Sequence, residues 1–147
     1  MAKSQLQTLI ELAETELDNA AKSLGRTVKA KDDADAQLVM LTQYRSDYEN
    51  RLQATAQRGL NVAQYANFQA FIAKLDQAIE GQKQVIADAE YRVKRATQHW
   101  QECEKKRLSY QILIDKNTKL EQQRDVKRDQ KQTDELATRR LFYNRSN

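Results

Sequence analysis

An unbroken heptad pattern of apolar residues constrains this chain more than any other feature of its sequence. From Leu6 to Leu52, alanine or larger apolar side chains recur at alternating steps of four and three residues, interrupted only by Thr27, Lys31 and Arg45. Such steps place the side chains on one stripe of a helix, which a second helix covers by knobs-into-holes packing. The sequence therefore predicts a coiled coil whose first helix extends for roughly 70 Å between these leucines.

A second apolar stripe with the same spacing follows after a short interruption. It extends from Tyr65 to Ile114 and also proceeds in steps of four and three. The two stripes are called the seam. The seam comprises Leu6, Ile10, Ala13, Leu17, Ala20, Leu24, Thr27, Lys31, Ala34, Leu38, Leu41, Arg45, Tyr48 and Leu52 in the first half, and Tyr65, Phe68, Ile72, Leu75, Ile79, Gln82, Ile86, Ala89, Val93, Ala96, Trp100, Cys103, Arg107, Tyr110 and Ile114 in the second.

The interruption, QRGLN from Gln57 to Asn61, carries the signals of a tight reversal. Gly59 suits the left-handed backbone conformation that ends many helices. Asn61 suits the N-cap of a second helix, with Gln64 at the third helical position. Because a connection of about four residues is enough to join antiparallel neighbours, we expect the turn near residues 58–61.

The two stripes fit each other in one antiparallel register. When the turn is centred on residue 60, facing seam positions have residue numbers that sum to 120, so that Tyr48 faces Ile72. A slip of one heptad, to a sum of 113 or 127, keeps the stripes in contact but moves the turn away from Gly59 and Asn61. The local preferences of the turn therefore select the register of 120, and the mutual fit favours closure within one chain.

These patterns predict an all-α fold, a long antiparallel two-helix coiled-coil hairpin that forms one domain over residues 1–147. The chain has no proline and three glycines, which suits long helices because proline removes a backbone donor and glycine adds backbone entropy. We expect helix 1 at about 4–57 and helix 2 at about 61–140. Residues 115–147 then form a charged overhang, which we expect to fray unless another protein holds it.

The sequence contains no constellation that points to catalysis, a cofactor or a metal. It has no glycine-rich phosphate loop and no nucleophile elbow, and a single histidine with a single cysteine does not make a zinc site. Cys103 lies on the seam opposite Leu17, where a buried structural thiol is expected rather than a nucleophile. We therefore expect a protein that is not an enzyme.

Charge and hydropathy predict a soluble cytosolic protein. The N-terminus lacks the apolar core of a signal peptide, and no apolar run approaches the roughly 20 residues of a membrane span. The net charge is +4, and the basic residues after position 115 are interleaved with acidic ones. Because a nucleic-acid-binding protein favours a concentrated basic stripe, we expect no nucleic acid partner. Because no apolar run is long enough to span a membrane, we expect no direct membrane insertion.

One flank of the predicted hairpin combines seam positions with aromatic side chains just outside the seam. Tyr44 and Phe71 hold such outside positions, and exposed aromatic patches usually mark contacts with partners. The alternative is a wide core, in which both rings only cover the edge of the seam. The candidate binding surface, called the aromatic flank, comprises Gln37, Leu41, Tyr44 and Tyr48 in the first helix, and Phe71, Leu75, Ala78 and Gln82 in the second.

Four stretches of the chain carry a likeness to a known family. They are LQTLIELAETELDNAAKSLG at the start, QLVMLTQYRSDY before the turn, GLNVAQYANFQAFIAKLDQAIEGQ after it, and DQKQTDELATRR near the end. In their order and spacing they resemble the flagellar export protein FliJ. The similarity covers essentially the whole chain and is densest around the turn.

The resemblance implies a non-enzymatic component of the flagellar type III protein export apparatus, similar to the central stalk of rotary ATPases. It implies that the end carrying both termini binds the hexameric flagellar export ATPase, and that the aromatic flank binds the cytoplasmic linker of the export gate membrane protein. It also implies cycling of flagellar export chaperones, and a cytoplasmic location with recruitment to the cytoplasmic face of the inner membrane at the flagellar base. The residues carried over to the ATPase end are Leu9, Leu12, Glu14, Asp134, Glu135 and Arg139.

The residues alone leave two other functions open. A generic cytoplasmic scaffold coiled coil predicts a symmetric dimer in which the seams pair between chains. A nucleic-acid-binding helical arm predicts binding that falls steeply as salt is raised.

Overall fold

Two long helices dominate the computed structural model, which describes residues 2–145, with side chains from residue 5 onward. Helix α1 spans Ala2–Arg58 and helix α2 spans Val62–Arg145. Neither contains proline, and no β-strand occurs within the described range. The three residues between the helices make the whole connection.

The connection uses the chemistry expected from its sequence. Gly59 has a φ of 101°, in the left-handed region, and its backbone N–H donates to the carbonyl of Ala56 at 3.2 Å. The side-chain oxygen of Asn61 accepts a bond from the backbone N–H of Gln64 at 2.8 Å, and the side chain of Gln64 accepts one from the backbone N–H of Asn61 at 3.3 Å. This reciprocal capping satisfies backbone donors at the start of α2 and confirms the predicted N-cap.

The chain divides into two units, each built from segments of both helices. The turn unit contains Asp18–Glu102, and the termini unit contains Met1–Leu17 and Cys103–Asn147. Among the described residues of both units, every buried apolar side chain comes from the seam, as a heptad pattern requires. These buried residues are Ala20, Ala34, Ile72, Leu75 and Ile79 in the turn unit, and Ile10, Ala13 and Cys103 in the termini unit.

Contacts across the seam of the turn unit reveal the register of its two helices. The Tyr48 ring of α1 lies 5.1 Å from the Phe68 ring and 4.5 Å from the Phe71 ring of α2, measured between ring centroids. Arg45 of α1 forms an ion pair with Asp76 of α2. A register of 113 would separate Arg45 from Asp76 by about two helical turns, and one of 127 would separate Tyr48 from Phe68 by about three. The predicted antiparallel hairpin and its register of 120 are therefore confirmed.

The termini unit contains the buried cysteine and the overhang. Cys103 is only 6% exposed, which confirms the predicted buried thiol. Nearby, the Lys106 ammonium lies 3.3 Å from the Glu16 carboxylate across the two helices. From residue 115 to Arg145, α2 continues as a helix whose side chains are all exposed. The fraying proposed for this overhang stays a prediction.

Candidate partner-binding flank beside the turn

The two edges of the seam in the turn unit differ in chemistry. Each edge is a row of positions that repeat every seven residues along a helix and so stay on one side of the seam. One edge carries the rings of Tyr44 and Phe71, which belong to the aromatic flank. The other edge, called the acidic flank, carries Asp35, Glu49, Asp76 and Glu90.

The rings of the aromatic flank form one packed cluster that bridges α1 and α2. Tyr44 meets Phe71 edge-on, with ring centroids 6.0 Å apart and an angle of 70° between the planes. Tyr48 lies against the same phenylalanine on the side of the seam. Edge-to-face and tilted arrangements of this kind are the favoured geometries of aromatic pairs. The cluster is thus a preformed apolar surface that reaches from the core to the outside.

Exposure differs among the eight residues of the aromatic flank. Tyr44 is 49% exposed, whereas Leu75 is 7% exposed. The Tyr44 ring is therefore open to a partner, and the Leu75 side chain serves the core beneath it. The rings both cover the edge of the seam and present surface outward. The exposed members are Gln37, Tyr44 and Ala78, the half-buried members are Leu41, Tyr48, Phe71 and Gln82, and the buried member is Leu75.

Gln82 is fixed by a hydrogen bond across the seam. Its side-chain amide nitrogen donates to the backbone carbonyl of Ala34 at 2.9 Å. The bond supplies a partner for a half-buried polar group, which is costly to leave unsatisfied. This residue therefore ties α2 to α1 at the end of the aromatic flank that lies farther from the turn.

The cations on the seam point toward the acidic flank. The Lys31 ammonium lies 2.9 Å from the Asp35 carboxylate, and the Arg45 guanidinium bonds both Glu49, at 2.8 Å, and Asp76. The hydrogen bond to Asp35 raises the pKa of Lys31, and the hydrogen bond to Asp76 raises the pKa of Arg45. Both side chains are about one-third exposed, as expected for long cationic side chains whose stems lie along the seam and whose charged ends reach water.

The residues assigned to the ATPase end lie on two separate parts of the termini unit. Leu9 is 41% exposed and Leu12 is 55% exposed, both on α1. In the register of 120 they lie opposite residues 108–111 of α2, well before the overhang that carries Asp134 and Arg139. All six are exposed: Leu9, Leu12, Glu14, Asp134, Glu135 and Arg139.

Two kinds of site are absent from the residues that the structure describes. Between residues 2 and 145, no group of three or more His, Cys, Asp or Glu side chains is arranged to hold a metal ion. Over the same stretch, no helix has an apolar segment of the length needed to cross a membrane. The turn unit presents an aromatic cluster on one edge of its seam and carboxylates on the other.

Sequence reasoning missed what separates the two edges. It identified Lys31 and Arg45 as seam charges but assigned them no partners, although Asp35 and Glu49 stand four residues after them at ion-pair spacing. It also missed a groove next to the aromatic flank, although the residues that line it recur at the same seven-residue spacing. Reading the edges as rows of seven, rather than the seam alone, would have pointed to the residue types at these edges, but not to the ion pairs or the groove themselves.

Comparison with known proteins places this chain among flagellar proteins. The family model described as "Flagellar FliJ protein" matches residues 2–146. A flagellar FliJ protein of Salmonella typhi is 33% identical over 134 residues, which cover 91% of this chain and 91% of the relative. A flagellar FliJ protein of Escherichia coli K12 is 31% identical over 134 residues, again with 91% of each chain covered.

Proposed function

Because the chain belongs to the FliJ family of flagellar proteins, we propose that it is a non-enzymatic component of the flagellar type III protein export apparatus. In this role it binds the export gate through the aromatic flank, and the hexameric export ATPase through the end that carries both termini. The observation that carries the proposal is the half-exposed ring of Tyr44, packed edge-on against Phe71 outside the seam.

The aromatic flank suits an apolar segment of a partner, which in this proposal is the cytoplasmic linker of the export gate membrane protein. Its rings are already packed across two helices, so binding has few further side chains to order. Aromatic side chains held in this way are frequent among the residues that dominate binding energy. Lys31 and Arg45 point toward the acidic flank. This supports partner binding by the aromatic flank, because no seam cation beside the rings has to lose its water when the partner binds.

The termini unit supports the proposed contact with the export ATPase. Leu9 and Leu12 present apolar side chains on the surface of α1. The overhang presents a long helix that nothing else in the described chain covers, with Asp134, Glu135 and Arg139 on its surface. The proposed gate surface and the proposed ATPase surface thus lie in different units.

Two further parts complete the proposal. The protein cycles free export chaperones, and it is recruited to the cytoplasmic face of the inner membrane at the flagellar base. Both rest on membership of the family. Recruitment follows from binding to the gate protein and needs no membrane segment of its own.

The two competing functions have less support. A scaffold coiled coil requires a seam that pairs with a second chain, whereas the seam of the turn unit is covered by its own second helix. A nucleic-acid-binding arm favours a concentrated basic stripe, whereas the cations of the overhang alternate with acidic residues such as Asp125, which pairs with Arg128.

The test of the gate assignment is binding of the purified cytoplasmic linker of the export gate to the full chain. We expect Tyr44→Ala combined with Phe71→Ala to weaken binding by about tenfold or more, as truncation of two central aromatic residues usually does. The matched control is Tyr91→Ala, which removes a ring that is 60% exposed but lies outside both flanks. If the double variant and the control bind equally well, the gate assignment is wrong. Loss of ATPase binding on removal of residues 115–147 tests the other surface in the same way.

A further inference from the structure

A groove continues from the aromatic flank along the same edge of the turn unit, away from the turn. In α2, Val85 and Arg92 follow Phe71 at multiples of seven residues, and in α1 Ala30 and Ser23 hold the matching row. The groove has a volume of about 430 Å³, and both helices line it. The rings and the groove therefore form one continuous track on one side of the seam.

The floor of this groove is apolar. Ala34 is buried at the bottom, and Ala30, Val85 and Ala89 form the walls. Thr27 also lines the groove, and its hydroxyl is already engaged, because it donates to the carbonyl of Leu24 at 2.8 Å. Small side chains let another backbone approach closely, and an apolar floor favours an apolar ligand.

The far end of the groove carries two guanidinium groups, one from each helix. Arg26 of α1 and Arg92 of α2 both line it and are exposed. No hydrogen bond or ion pair joins either one to another described residue. Asp88 also lines the groove, and its carboxylate accepts a bond from the Gln84 amide at 3.5 Å. With two guanidiniums and one carboxylate, this end attracts an anionic group.

We propose that the aromatic flank and the groove together bind one amphipathic helix of a partner protein. The helix places apolar side chains on the rings and on the groove floor, and carboxylates at Arg26 and Arg92. The inference rests on the proposed function, in which the aromatic flank contacts a partner, and it deepens that function by stating the partner's chemistry.

A helix fits this track better than an extended segment. The backbone groups of α1 and α2 are bonded within their own helices, so they offer nothing to the backbone of an extended chain. A helix satisfies its own backbone and follows rows that repeat every seven residues. From Phe71 to Arg92 the track measures roughly 30 Å, which matches a helix of about 20 residues.

Charge favours a different protein over a second copy of this chain. A second copy that docked by the same face would bring its own Arg26 and Arg92 to the contact, and like charges repel. A segment with carboxylates at one end complements them instead. The free cations thus select the partner, while the rings and the groove floor supply apolar contact.

The test uses the full chain and two designed peptides of about 20 residues that are helical. One peptide has leucines at heptad spacing and glutamates at one end, and its twin has lysines in place of the glutamates. We expect the glutamate peptide to bind, and Arg26→Glu with Arg92→Glu to weaken it by about tenfold, as reversal of complementary charges does. The same variant should bind the lysine peptide more tightly than the unchanged protein does.

The control for net charge is Lys74→Glu with Lys94→Glu, two exposed positions outside the groove. If this control weakens glutamate-peptide binding as much as the arginine variant, the inference is overturned, since the effect is then one of overall charge. The inference is also overturned if the lysine peptide binds the variant with Arg26→Glu and Arg92→Glu no more tightly than it binds the unchanged protein. A dimer of the chain that dissociates on Arg26→Glu with Arg92→Glu would place a second copy in the groove and overturn it too.

Binding of the gate linker to the two double variants distinguishes failure of this inference from failure of the proposed function. If the linker loses affinity with Tyr44→Ala and Phe71→Ala but not with Arg26→Glu and Arg92→Glu, the inference is overturned and the proposed function stands. If the arginine variant also weakens linker binding, the inference is supported. Should neither variant weaken it, the gate assignment is wrong, and the peptide assay still decides the chemistry of the groove.

Discussion

Arg45 of α1 forms an ion pair with Asp76 of α2, although the two residues stand 31 positions apart in the chain. This contact takes a seam cation to the acidic flank and keeps it away from the rings on the opposite edge. Much of what distinguishes the two edges of the turn unit follows from this pair and from its neighbour Lys31–Asp35.

Replacement of Asp76 by alanine should lower the urea midpoint of unfolding slightly. Arg45 then keeps only Glu49 as a partner, and the loss should shrink as salt is raised, because the pair lies near the surface. The control is Glu80→Ala, which removes only a local pair with Lys83 within α2. A larger loss for Glu80→Ala than for Asp76→Ala would contradict a role of the cross-helix pair.

Replacement of Gly59 by alanine should destabilise the hairpin by about 1–2 kcal/mol, the cost of a left-handed conformation in a residue with a side chain. Its φ is 101°, and no atom lies near enough to obstruct a Cβ, so the cost is conformational rather than steric. The matched control is Gly25→Ala, at a helical position with equally open surroundings. That change should stabilise the protein by about 0.5–1 kcal/mol. Chemical unfolding measures both changes, and equal effects of one sign would contradict the assignment.

Two members of the aromatic flank should respond differently to truncation. Leu75→Ala should lower stability by about 2–3 kcal/mol because it opens space in the core, whereas Tyr44→Ala should cost about 1 kcal/mol because its main loss is one ring pair. Binding of the gate linker, measured where both variants are folded, should show the opposite order. A larger loss of affinity for Leu75→Ala would mean that the core residue contacts the linker directly.

The overhang should exchange its amide hydrogens faster than the turn unit does. Its side chains from residue 115 to Arg145 are exposed, so the helix is held by its own local interactions, and a helix without tertiary packing is marginal. We expect protection lower by about tenfold or more than for amides near Ile72 and Ile79. Protection equal to that of the turn unit would mean that another copy or segment covers the overhang.

Lys31 should make stability depend on pH in the alkaline range. Its hydrogen bond to Asp35 raises its pKa above the ordinary lysine value of 10.5, so the folded protein holds this proton more tightly than the unfolded chain. The stability that protonated Lys31 contributes is fully present below a pH of 10.5 and is lost as the pH rises through the higher pKa of the folded protein. Lys31→Arg keeps its charge there, so the variant should lose less stability than the unchanged protein between pH values of about 10 and 12. Parallel losses in the two proteins would contradict the assignment.

The sequence predicts most of this fold because one physical rule dominates it. Apolar side chains at heptad spacing must meet a partner stripe, and Gly59 and Asn61 allow the chain to reverse at one place only. The register then follows, because a slip of one heptad would move the turn away from Gly59 and Asn61. The ring cluster is also within reach of this reasoning, because Tyr44 and Phe71 occupy the same edge once the register is set.

The direction taken by a long side chain is not contained in the heptad pattern. A seam arginine such as Arg45 lies midway between two edges, and its rotamer depends on carboxylates from two helices, one of them far along the chain. The groove is similar, because its volume depends on how closely α1 and α2 approach at Ala34 and Ala89. Such features depend on three-dimensional packing, and only the residue types at the edges hint at them.

The approximate two-fold axis of an antiparallel helix pair maps each of its two sides onto itself, so the sides are distinct surfaces, and in the turn unit the ion pairs of Lys31 and Arg45 lie on one of them. In the proposed complex, the partner helix contacts only the side that carries the rings and the groove. We then expect saturation at one partner segment per chain, with the direction of that segment set by Arg26 and Arg92 at one end of the groove.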